Sequence, residues 1–181
     1  MSAQTWQETL VTNNGVVGPT VTALTITSLL PTGSVLTLPA NYLSAGKRFK
    51  LRAKGVMNTT VTTPGTLTFT VNFGAVAAFA SQAMALNAVA KAAVVWDFEL
   101  IMECISIGSG TTATMKSIGI FTSEAAVSAA AGTALSISTP ASSPVAGTGF
   151  SSVAALAVDF LATQSVNNSM ILHSYQFESL N

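Results

Sequence analysis

The sequence predicts an all-β sandwich or barrel. Three observations carry this reading. Several segments alternate apolar and polar residues at every position, turn residues punctuate the chain at near-regular spacing, and no long helical pattern alternates with the strand-like segments. The clearest alternation is Arg48–Gly55. Phe49, Leu51 and Ala53 point one way, and Arg48, Lys50, Arg52 and Lys54 point the other, as on a strand with one buried and one wet face. With Lys47, this stretch holds five of the seven Lys and Arg residues. Its counterpart is Val94–Cys104. There Trp96, Phe98, Leu100, Met102 and Cys104 share one face, while Asp97, Glu99 and Glu103 occupy the other. A basic face and an acidic face are complementary, either within one sheet or across a subunit contact.

The remaining elements follow in chain order. Residues 1–20 read as an arm, with turn signals at Asn13-Asn14-Gly15 and Gly18-Pro19 and few apolar groups to bury. Trp6 is the exception, because an aromatic side chain in a polar arm is a natural anchor. Val21–Leu30 is rich in Thr, Val, Leu and Ile and predicts a strand; Val35–Leu38 predicts a short one. Thr66–Asn72 places Leu67, Phe69 and Val71 inward. Gly74–Ala93 has an Ala content that favours helix, but its strand-like neighbours favour a hairpin of short strands. Thr112–Phe121, Leu135–Ser138, Val153–Thr163 and Ser169–Glu178 complete the set, and the last is read with Ile171, His173, Tyr175 and Phe177 on one face. Thr139–Ser152, with its prolines, glycines and serines, predicts a long surface loop. About eight strands in two packed sheets is the jelly-roll count. The predicted organisation is an extended N-terminal arm (residues 1–20) and a single jelly-roll β-sandwich domain (residues 21–181).

Composition narrows the function. Formal net charge is zero and 8% of residues are charged, against about 25% in an ordinary soluble domain. Such a sparsely charged surface associates readily near its pI of about 6.5. Neutrality argues against nucleic acid as a partner. The mean hydropathy is +0.56, but the longest apolar run, Phe73–Val95, is broken by Ser81, Gln82, Asn87 and Lys91, so no membrane span is expected. The N-terminus has neither a basic nor an apolar leader segment, and the one cysteine allows no internal disulfide. Both fit synthesis in a reducing cytosol.

No catalytic constellation stands out. Gly108-Ser-Gly-Thr-Thr-Ala113 loosely matches a dinucleotide-binding turn, but a strand pattern rather than a helix follows it, so a hairpin turn is the better reading. His173 is the sole histidine and is read as partly buried and hydrogen-bonded; Cys104 is read as a small core residue. A Cys–His nucleophile pair would have to join different apolar faces, and the ligand count argues against zinc. Asp97, Glu99 and Glu103 share a face, which ion pairing with the basic strand explains more simply than acid–base chemistry. No outward aromatic interleaves with the basic residues to stack bases. The residues expected to carry interaction are therefore Trp6, Arg48, Lys50, Arg52, Asp97, Glu99 and Glu103. No enzyme activity, metal or cofactor is expected.

Several pieces together resemble a known family. They are Leu38-Pro39, Tyr42-Leu43, Gly46-Lys47, the basic strand ending Ala53-Lys54-Gly55, Thr63–Val71, Phe73-Gly74, Trp96, Cys104 with the Gly108–Thr111 turn, and the stretch from Asn168-Ser169 to Asn181. Over about residues 35–181 the chain resembles the small jelly-roll virion proteins of tailed bacteriophages that decorate or cement a capsid. The resemblance implies a homotrimer bound to the outer face of the major capsid protein lattice, made in the host cytoplasm and located on the virion. It implies no catalytic residues. A fibre or spike adhesin with a carbohydrate-binding role is the alternative, and would call for surface aromatics near carboxylates.

Overall fold

The computed structural model describes residues 7–22, 24–60, 65–127, 136–140 and 146–180. Among these residues the chain forms twelve strands and no helix. They are β1 (Gln7–Thr12), β2 (Thr27–Ser28), β3 (Leu36–Leu38), β4 (Arg48–Thr59), β5 (Thr66–Phe73), β6 (Val76–Ala80), β7 (Met84–Ala85), β8 (Lys91–Ser106), β9 (Thr114–Ser123), β10 (Ser136–Thr139), β11 (Leu156–Gln164) and β12 (Ser169–Leu180). Two antiparallel sheets result. The larger has the order β1-β12-β4-β8-β9-β10. The smaller has the order β2-β11-β5-β6, with β3 also pairing β11 and β7 also pairing β5.

The alternation of β4, β8 and β9 does what the sequence pattern predicts. Phe49, Leu51, Ala53 and Met57 are buried, as are Trp96, Phe98, Leu100, Met102 and Cys104, and then Met115 and Phe121. Burying such a face removes large apolar areas from water, at roughly 25 cal/mol per Å². The two inner faces meet through aromatic rings. Phe69 of the smaller sheet lies 4.7 Å from Phe98, 5.4 Å from Phe121 and 5.7 Å from Trp96 of the larger. A second cluster stacks Phe49 on Phe177 at 5.2 Å, with Phe73 edge-on to Phe49 at 6.3 Å. Gly55 makes room for this packing. A Cβ there would run into the Ile171 carbonyl and come within 2.7 Å of the Trp96 ring. The Trp96 indole N–H donates to the Val56 carbonyl at 3.2 Å, satisfying the one polar atom of that buried side chain. Residues 74–93 hold short strands and no helix: β6 forms a hairpin with β5 through the two-residue turn at Gly74 (φ +65°), β7 also pairs β5, and Lys91 opens β8.

Four expectations need correction. Residues 7–12, read as part of an arm, form β1 and pair with β12 from Gln7↔Leu180 to Thr12↔Gln176. Val21–Leu30 is not one strand. Val21 makes an isolated bridge to Met170, and only Thr27–Ser28 joins the smaller sheet, because this segment crosses from one sheet to the other. The stretch read as a surface loop before β11 is partly a cover: Phe150 is buried, bridges Ala113 and packs edge-on against Phe73 at 5.2 Å.

The fourth correction concerns β12. Leu172 pairs with Gly55 and Ser174 with the adjacent Lys54, so His173 is an extra residue, a β-bulge. The bulge switches faces. Met170 and Leu172 point inward before it, and Tyr175 and Phe177 after it, while Ile171 and His173 do not share the face of Tyr175 and Phe177. His173 is therefore exposed rather than partly buried. The irregular backbone is held by Asn13, which is only 6% exposed. Its side-chain amide donates to the His173 carbonyl at 2.8 Å and to the Val16 carbonyl at 2.9 Å, and its side-chain oxygen accepts from the Tyr175 N–H at 3.1 Å. A bulge frees backbone groups, and one asparagine carries both a donor and an acceptor to meet them.

Candidate interaction surface

The basic and acidic strands are neighbours in the larger sheet. β4 pairs β8 with Arg48 opposite Glu103, Arg52 opposite Glu99 and Lys54 opposite Asp97. The complementarity thus acts within one sheet. Lys54 Nζ lies 2.7 Å from Asp97 Oδ2, and Arg52 Nε lies 3.1 Å from Glu99 Oε2. Lys50, one diagonal step away, reaches Glu99 Oε1 at 2.9 Å. Glu99 therefore sits between two cations, and its carboxyl is held below the usual carboxylate range. The Lys50 hydrogen bond is the main cause; partial burial opposes it and Arg52 adds to it. Arg48, Glu103 and Lys116 share one row of the sheet, since Glu103 faces both. None of these three makes an ion pair within 4 Å among the described residues. Trp6 lies outside the described residues.

Beside this ladder the same outer face turns apolar. Ile101 is opposite Ile118, and Ile120 is opposite both Glu99 and Ser138. Ile118 and Ile120 are 53% and 51% exposed. Together with Asp97, Glu99, Thr122 and Ser138 they line a shallow groove of about 420 Å³. None of these isoleucines is among the residues expected from the sequence to carry interaction. The signal was present, because the alternation that puts Met115 inward puts Lys116, Ile118 and Ile120 on the charged face. An aliphatic cluster exposed on a sheet face is a candidate contact surface.

The candidate reactive residues are kept apart. Cys104 faces the core, and burial pushes its thiol up. His173 is exposed on β12, with β4 between the strands that carry the two residues. The Gly108–Ala113 stretch is the turn joining β8 to β9. Glu178 is 3% exposed; Gln176 donates to its Oε1 at 2.6 Å. Among the described residues, no three of His, Cys, Asp and Glu gather closely enough to hold a metal ion. Among the described residues, aromatic side chains are nearly all internal. Trp96 and Tyr175 are buried, and Tyr42 is half-buried with the Lys47 ammonium 4.1 Å from its ring centre. Comparison of the chain with protein-family models, with curated proteins and with solved structures finds no match.

Proposed function

We propose that this chain is a structural virion protein of jelly-roll type, a homotrimeric decoration or cement protein that binds the outer face of a phage capsid lattice and stabilises the shell. The observation that carries the reading is the outer face of the larger sheet. Asp97 and Glu99 are ion-paired within the chain by Lys50, Arg52 and Lys54, and Ile118 and Ile120 beside them are left exposed, which suits assembly onto another protein surface. The strand order supports the jelly-roll part. Two four-strand sets, β1-β12-β4-β8 and β2-β11-β5-β6, have first and last strands side by side and chain connections that pass repeatedly between sheets, with β9 and β10 extending the first set. The test is to add the purified protein to undecorated shells. Saturable binding with a fixed number of copies per shell, and a rise in shell melting temperature, are expected. Absence of binding at micromolar protein would reject the reading.

A second reading, a carbohydrate-binding tip, draws on a cleft of about 360 Å³ lined by Asn58, Thr60, Asn167, Asn168 and Ser169. Its amides and hydroxyls match sugar hydroxyls, but among the described residues no aromatic platform lines it. Binding on a glycan array would favour this reading over decoration.

A further inference from the structure

Two exposed aliphatic patches lie at opposite ends of the sandwich. One is the groove of Ile101, Ile118 and Ile120 at the β8–β9–β10 end of the larger sheet. The other is the crossover that leaves β1. It runs along β12, with the Gly18 N–H donating to the Leu172 carbonyl, and then reaches the smaller sheet at β2. This crossover exposes Val16, Val17, Leu24 and Ile26, each between 48% and 55%. Neighbouring strands are about 4.8 Å apart, so four spacings put the first part of the crossover about 19 Å from β9. We infer that these two patches are the two halves of one contact, in which the groove of one copy receives the crossover of the next copy, head to tail.

The occupant is a second copy because this chain carries both members of the contact. Residues 9–46 contain no charged side chain. The groove they would meet has its carboxylates already neutralised, Asp97 by Lys54 and Glu99 by Lys50 and Arg52. An uncharged apolar segment entering this site therefore leaves no charge unpaired, whereas a charged partner would have to break the ladder. The two patches differ in form, a groove on a sheet face and a segment running along the sheet edge, so the contact is heterologous. Heterologous contacts close into rings when the rotation allows. This deepens the proposed function: it rests on that reading only for the number three, and names the surfaces that build the trimer.

The test uses the whole chain at micromolar concentration. Sedimentation is expected to give three copies for the wild type. Ile118→Lys blocks the groove and Ile26→Lys blocks the crossover, so each variant is expected to sediment as a monomer with an unchanged β-sheet circular dichroism spectrum. Mixed in equal amounts, they are expected to form a one-to-one heterodimer that neither makes alone, because the intact groove of the second receives the intact crossover of the first. Should a lysine unfold either variant, Ile118→Ser and Ile26→Ser replace them in the same mixing experiment. A monomeric or dimeric wild type, a variant that keeps the wild-type mass, or a mixture that stays monomeric would overturn the inference. A ring that ignores capsid shells would reject the decoration reading alone, and a monomer that binds shells would reject this inference alone.

Discussion

The β4–β8 pair and the C-terminal strand β12 both bury one face in the same core, yet they are built differently. From Arg48 to Met57, β4 stays in step with β8, every second residue is buried, and the outward charges meet across the ladder. β12 loses step at His173 and regains burial one residue later, and a residue 160 positions away in sequence, Asn13, holds the break. A regular pair needs only its own two strands. A bulge leaves backbone groups that a third segment must satisfy, so it ties the N-terminal strand to the C-terminal one.

The largest expected effect strikes the point where the two designs touch. Gly55 lies opposite both Trp96 and Leu172. Gly55→Val puts side-chain atoms into the Ile171 carbonyl and the Trp96 ring, and neither can move without disturbing a sheet. A loss of at least about 3 kcal/mol is expected, at the upper end for overpacking, measured by urea unfolding. A variant within 1 kcal/mol of wild type, by the scale of tolerated core swaps, would show that the contact relaxes freely.

Next comes the bulge itself. Asn13→Ala strips the partners from the His173 carbonyl and the Tyr175 N–H, and is expected to cost about 2 kcal/mol. Deleting His173 sharpens the comparison, since it would place Leu172, Tyr175 and Phe177 in unbroken alternation with Gly55 onward. In that background Asn13→Ala is expected to cost less than half as much. A double-mutant cycle reads the coupling, and strictly additive effects would mean that Asn13 does not serve the bulge.

The ladder is worth less. Replacing Lys50 and Arg52 with Ser is expected to cost under about 1 kcal/mol, and less at high salt, because the pairs are partly exposed. The pH dependence has a definite sign. The folded-state pKa of Glu99 is lowered, so its contribution is present above the ordinary carboxylate value of about 4.3 and is lost as pH falls through the lowered folded value. Glu99→Gln should flatten that part of the melting-temperature profile below neutral pH. An identical acid limb in both proteins would remove Glu99 from the account.

The smallest effect is expected at Tyr175. Its hydroxyl is buried with no hydrogen-bond partner among the described residues, and burial, with a smaller effect of Asp159, raises its pKa. Tyr175→Phe should change stability by no more than about 0.5 kcal/mol near neutral pH, or increase it. At alkaline pH the sign is clear. The unfolded phenol ionises near its ordinary value of about 10 while the folded one resists, so the wild type loses stability as pH rises above 10 and the variant loses less. A variant melting well below wild type at pH 7 would mean that the hydroxyl has a partner.

Most of the fold was legible in the sequence wherever one strand's pattern sufficed. Phe49, Leu51 and Ala53, the Trp96–Cys104 series, and Leu67, Phe69 and Val71 all point inward as their alternation requires, because a side chain on a strand has only two faces to choose between. The opposed charges of β4 and β8 were legible too, as a complementarity without an address. Only the tertiary structure decided that the two strands are neighbours, that residues 7–12 close the sheet beside β12, and that His173 is an extra residue that turns Ile171 outward. The same holds for the groove, whose isoleucines come from β8 and β9 and meet only through register. The physical reason is common to all four. Alternation is a local property of one strand, whereas pairing, register and bulges depend on hydrogen bonds to segments distant in sequence, and no single segment records its partner.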